Sequence, residues 1–178
     1  YHAAYDLTRY VLDTGRRKPG YIGVMREDQA VGTERLRAYQ DAVRDAGCEE
    51  RADRFVIADF TWQSGYEKAA ALLSLCGELD AVICATDSIA AGAMKYLRDH
   101  GYRIPEQILL AGMGDSEVGR LADPPLVTVH FAYEKSGELA AGMLLRAIGA
   151  ESAEVQGVRL GYELIGRERQ GISAASVR

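Results

Sequence analysis

The chain has 178 residues, 48% of them hydrophobic, which is enough for one good core with room for a small appended lobe. A formal net charge of -5 argues against a surface that neutralises phosphates, so this polypeptide by itself is a poor nucleic-acid binder. Cys48, Cys76 and Cys84 are odd in number and scattered without a CxxC, which argues for neither a disulfide framework nor a zinc site and fits a reducing cytoplasm. No run reaches the roughly eighteen apolar residues of a membrane span, and no basic-then-apolar leader opens the chain.

Tyr1 already stands inside a helical pattern, with no Met and no cap before it, so the chain reads as a fragment. Residues 1–14 place Ala4, Leu7, Tyr10 and Val11 at helical spacing, and Gly15 with Arg16, Arg17 and Lys18 is a stop signal. A short apolar strand is expected at 21–25. Residues 26–32 form a polar loop and Thr33 is the expected N-cap. Leu36, Tyr39, Ala42, Val43 and Ala46 then make one helical face that stops at Gly47. A strand at 55–58 leads into a loop at 59–63, where Ser64, with Glu67 in the capping-box position, is expected to open a helix over 65–75. Residues 81–85 are a continuous apolar run, hence a strand buried on both faces, and Thr86 or Asp87 caps a helix over 88–99. With the strand at 108–111 after Pro105, four strands alternate with helices. That pattern predicts right-handed βαβ units and an α/β fold with a doubly wound parallel sheet. After Pro124 and Pro125 come a strand at 127–131, a helix at 134–148 and a final strand at 158–165, and the small polar residues 171–178 are expected to fray.

The chain carries no catalytic constellation. No G-x-S-x-G occurs, Gly112-Met113-Gly114 lacks the third glycine of a dinucleotide fingerprint, and His2, His100 and His130 lack companion ligands, so no metal or cofactor is expected. Polar and aromatic groups instead gather at the carboxyl ends of strands, where open α/β sheets hold ligands. Arg35 offers a fixed fork of donors for two adjacent hydroxyls, or it is a solvated first-turn arginine beside Glu34 and Arg37. Phe60 and Trp62 share one loop and either stack on a ligand or cover the sheet edge. Thr86 and Asp87 hold hydroxyls or simply cap a helix.

Five ordered motifs span residues 1 to about 169: Gly15-Arg16-Arg17; Arg35-Leu36-Arg37-Ala38-Tyr39; Asp59-Phe60-Thr61 with Ser64-Gly65; AVICATDSIAAGAM at 81–94; and the Gly112-Met113-Gly114-Asp115 loop before Pro124-Pro125. Together they resemble the C-terminal part of the effector-binding region of LacI/GalR-family transcriptional repressors, a periplasmic-binding-protein-like fold of type I. The resemblance implies that residues 1–129 are a nearly complete C-terminal subdomain. Residues 130–153 would cross into the N-terminal subdomain and 154–170 would return, while the DNA-binding headpiece and much of the N-terminal subdomain have no counterpart. It implies a sugar effector held by Arg35, Phe60, Thr86, Asp87, Asp115 and Phe131, and operator DNA bound through a domain absent from this chain. It also implies a homodimer, to which the helix at 88–99 would bring Ile89, Ala90, Ala93, Met94 and Leu97. Two positions depart from the family pattern: Gly114 stands where an acid is usual, and Phe131 where a polar residue is common. The alternative reading is a periplasmic sugar-binding protein of an ABC transporter.

Overall fold

The computed structural model describes residues 1–148 and 157–166. Its elements are α1 (His2–Asp13), β1 (Pro19–Gly23), α2 (Arg35–Asp45), β2 (Phe55–Ile57), α3 (Trp62–Cys76), β3 (Ala81–Cys84), α4 (Asp87–Asp99), β4 (Leu109–Ala111), α5 (Glu117–Leu121), β5 (Thr128–Phe131), α6 (Tyr133–Ile148) and β6 (Tyr162–Ile165). Strands β1 to β4 form one parallel sheet in the order β2-β1-β3-β4. The chain moves one way from β1 to β2 and the other way from β2 through β3 to β4, and right-handed crossovers in opposite directions place their helices on opposite faces. So α2, with α1 packed on it, covers one face, while α3 and α4 cover the other. The doubly wound parallel sheet read from the sequence is the fold observed.

Burial on both faces explains the continuous apolar runs. All five residues of β1 and all four of β3 are buried, and Leu109, Leu110, Leu7, Leu72, Ile89 and Leu97 are fully enclosed around them. Two glycines let α3 and α4 approach closely. A methyl group on Gly92 would lie 1.9 Å from the Trp62 carbonyl oxygen, and one on Gly65 would lie 2.3 Å from that of Ile89.

Local start signals were the least legible. Asp28, not Thr33, opens the route into α2: its carboxylate accepts from Val31 N at 2.8 Å, a wide π-type turn over Gln29–Glu34 follows, and Thr33 donates to Arg26 O instead. Thr61, not Ser64, caps α3, accepting from Ser64 N at 3.2 Å, while the Ser64 hydroxyl turns back to accept from Asp59 N. Of the two candidates before α4, Thr86 is the cap, accepting from Ile89 N. Strand β1 lies two residues earlier than expected.

Val127 continues the sheet by a parallel bridge to Ala111, after which β5 leaves it and pairs antiparallel with β6, Thr128 opposite Ile165 and Phe131 opposite Tyr162. Helix α6 has no buried residue, and Leu144, Leu145 and Ile148 are each more than 60% exposed. The frayed tail expected at 171–178 lies outside the described residues.

Candidate functional site

Because the strand order reverses between β1 and β3, the crevice beyond their carboxyl ends is the topological switch point, the usual ligand position in such sheets. Arg35 bridges it. The wide turn after β1 aims the first side chain of α2 across the crevice, where Nη1 donates to the Ala85 carbonyl just past β3. Its guanidinium lies 5.6 Å from the centre of the Phe131 ring, a cation–π contact. Arg37, its neighbour, is the one that turns outward and pairs with Glu34. Arg35 is half-buried, burial pulls its pKa below the usual arginine value, and it makes no ion pair among the described residues. Most of its donor fork is therefore left for something else.

Asp87 behaves differently. It is buried, and its carboxylate accepts from the Thr128 hydroxyl and from Ser116 N, both at 2.7 Å, while its own N–H donates to Met113 O. Thr128 Oγ1 accepts in turn from Asp115 N at 3.2 Å. Asp115, at φ 46°, points its carboxylate at Arg120, which donates from Nε and Nη2 at 3.1 and 2.8 Å, with His130 Nδ1 also 3.1 Å away. One hydrogen-bonded chain thus ties the start of α4, the loop after β4 and the start of β5. Thr86 is occupied as the cap of α4.

Phe60 stands apart from this group. With Trp62 it lines a groove of about 610 Å³ whose other walls include Ser88, Ala91, Lys95 and Val118, and no ring contact joins it to Phe131 among the described residues. Phe131 instead meets Tyr133 edge-on at 5.9 Å. The structure therefore brings Arg35 and Phe131 together, links Asp87 to Asp115, and leaves Phe60 and Trp62 on the α3–α4 groove.

Three residues at this end of the sheet were not put forward from the sequence as binding residues: Arg120 and Tyr133, and His130, which stood there only as a histidine without companion metal ligands. The signal for His130 and Arg120 was faint, since an Asp gaining partners five and fifteen residues away follows no local periodicity. Among the described residues no three His, Cys, Asp or Glu side chains converge on a metal position, and no helix is long and apolar enough to cross a membrane.

A doubly wound parallel sheet with a crevice at its switch point is the class of α/β fold that holds ligands beyond its strand ends. The model of the periplasmic binding protein-like domain matches residues 8–168, and the chain belongs to that family, in the form found in LacI-type regulators. It is 33% identical to the HTH-type transcriptional regulator CelR of Thermobifida fusca over 90% of this chain and 47% of that protein. It is 32% identical to the ribose operon repressor of Haemophilus influenzae over 81% of this chain and 43% of the other. A solved structure titled as a CelR–cellobiose complex superposes with a TM-score of 0.87 at 32% identity, covering 94% of this chain and 51% of that one. The chain spans about half the length of the curated relatives it matches.

Proposed function

We propose that this chain is the effector-binding and dimerising part of a sugar-responsive transcriptional regulator that acts in the cytoplasm and reaches operator DNA through another segment. Residues 1–129 are its C-terminal subdomain, and residues 130–153 and 154–170 are the crossing and returning segments of the N-terminal one. The single observation that carries the reading is Arg35, a half-buried cation at the switch point with no ion-pair partner among the described residues and an aromatic ring beside it. A neutral polyol satisfies such a site: two adjacent hydroxyls accept from the guanidinium fork and the ring's C–H face covers Phe131. The relatives named are regulators, which favours this reading over a transporter component, and nothing in the site calls for bond-making chemistry. The effector acts by binding two states of the regulator unequally, which shifts their balance.

The dimer face is the outer side of α4 with α5. Ile89, Ala90, Ala93, Met94 and Leu97 are spent on the core and do not form it. The outward stripe is the half-buried Ser88 and Ala91 with the exposed Lys95 and Arg98, flanked by Trp62, Val118 and Leu121, the last 77% exposed. Two continuous grooves run along this stripe, sharing Ala91, Lys95 and Val118, and a second copy related by a two-fold axis supplies the matching surface.

The test is a thermal-shift screen of the complete regulator against mono- and disaccharides, cellobiose included. A ligand that binds only the folded state raises the melting temperature with concentration. A flat response across the panel would contradict the reading.

A further inference from the structure

Gly114 occupies a backbone position at φ 133°, which side chains rarely adopt, at the floor of the crevice after β4. The space above it is bounded by two oxygens, Asp87 Oδ2 and the Tyr133 hydroxyl, each 3.7 Å from where a β-carbon would stand. Asp87 already accepts two hydrogen bonds. Tyr133 is not held in the same way: its hydroxyl has no hydrogen-bond partner among the described residues, and its ring is 57% exposed at the start of α6. What fixes the ring is its edge-on meeting with Phe131 at 5.9 Å and with His130 at 6.4 Å. The charges of Arg35, Asp87 and Asp115 all act on that hydroxyl, and partial burial raises its pKa. So one uncommitted phenol overhangs the glycine floor, on the same wall as the ring that faces Arg35.

Resting on the effector reading above, we propose that Tyr133 is a ligand-contacting residue that sets specificity, its hydroxyl meeting a ring hydroxyl of a neutral glycoside over Gly114. A second carboxylate here, in place of Tyr133 and beside Asp87, would accept hydrogen bonds only and would leave the floor an excess negative charge that welcomes a cationic amino sugar. A phenol donates one bond, accepts one and adds no charge at neutral pH, so the charges around the floor remain those of Arg35 and Asp87, which offset each other, and the pocket selects uncharged sugars. The half-buried Phe131 ring adds apolar surface for the sugar ring's C–H groups, and Arg35, over that ring at 5.6 Å, grips from the β1 side.

The experiment is calorimetry on the complete regulator and its Tyr133→Phe variant with cellobiose, sucrose, glucose, glucosamine and the monodeoxy derivatives of whichever neutral sugar binds. The expected result is a loss of about three- to tenfold in affinity for the neutral sugar, the size of one hydrogen bond. Melting of the unliganded protein should not change. The loss should disappear with one deoxy derivative, because the same bond cannot be removed twice. Unchanged affinity in Tyr133→Phe, or glucosamine binding more tightly than glucose, would overturn the assignment and leave the effector reading standing. No binding of any sugar to the wild type would overturn both.

Discussion

Asp87 sits where α4 begins, and its carboxylate holds both the loop after β4 and the start of β5, so Asp87→Ala is a stringent perturbation of this end of the sheet. The substitution leaves Ser116 N–H and the Thr128 hydroxyl without their acceptor in a site that is 1% exposed at residue 87. Each stranded donor costs about 1–3 kcal/mol, partly offset by no longer burying a charge, so the expected loss is about 3–4 kcal/mol. Against a total stability of ~5–15 kcal/mol that is a large fraction. Equilibrium urea unfolding followed by circular dichroism measures it, with an unchanged slope showing that the denatured state is not the cause. Thr128→Val removes one of the same bonds, and the pair should be non-additive by about 1–2 kcal/mol because the two side chains share an interaction. A loss below about 1 kcal/mol for Asp87→Ala, or strict additivity with Thr128→Val, would refute the view that this carboxylate locks the loops.

Gly92→Ala places a methyl group 1.9 Å from the Trp62 carbonyl and must push α3 from α4. A loss of about 2–3 kcal/mol, read as a fall of roughly 5–10 °C in melting temperature, is expected, and Ala at 92 without effect would contradict the close approach of the two helices. For the dimer, Leu121→Glu should give a monomer in sedimentation with the wild-type far-UV circular dichroism spectrum and a melting temperature lowered only by loss of the partner, since residue 121 is 77% exposed, and a dimer that survives it would place the interface elsewhere. Met94→Glu would unfold the core and test nothing about assembly. Cys84 is fully buried, and burial pushes its thiol pKa up, so at pH 8 a thiol reagent should reach it only after unfolding. Cys48 and Cys76 are partly exposed and should react in the native protein, Cys76 the slower because burial raises its pKa and its thiol donates to Leu72 O. Rapid labelling of Cys84 would contradict the packing of β3.

The sheet was legible because a strand enclosed on both faces leaves an apolar run that periodicity detects, as in residues 81–85. Helix starts were less legible, because several side chains within a few residues are able to cap: Asp28 took the place expected of Thr33, and Thr86 rather than Asp87 caps α4. At 59–65 three side chains were able to cap, and the choice of Thr61 over Ser64 followed from Ser64 being drawn back to Asp59. From the sequence Arg35 carried two readings, a fork for hydroxyls or a solvated first-turn residue, because its neighbours Ala85 and Phe131 lie 50 and 96 residues away, a pairing that only the crossovers create. The apolar residues of α4 were counted as an interface because they fall on more than one face. In the fold those faces meet the sheet and α3, the latter at van der Waals range through Gly65 and Gly92. Tyr133 escaped notice because nothing in its local pattern separates a phenol that starts an exposed helix from one that overhangs a glycine more than fifteen residues earlier.

The central claim is that a sugar is held at the switch point by Arg35. The most direct measurement is calorimetric titration of the complete regulator and its Arg35→Ala variant with the sugar that stabilises the wild type. Loss of charge-assisted contacts worth about 1.5–3 kcal/mol predicts affinity weaker by roughly tenfold to a hundredfold, with operator binding by the unliganded protein unchanged. Equal affinity in the two proteins would contradict the claim.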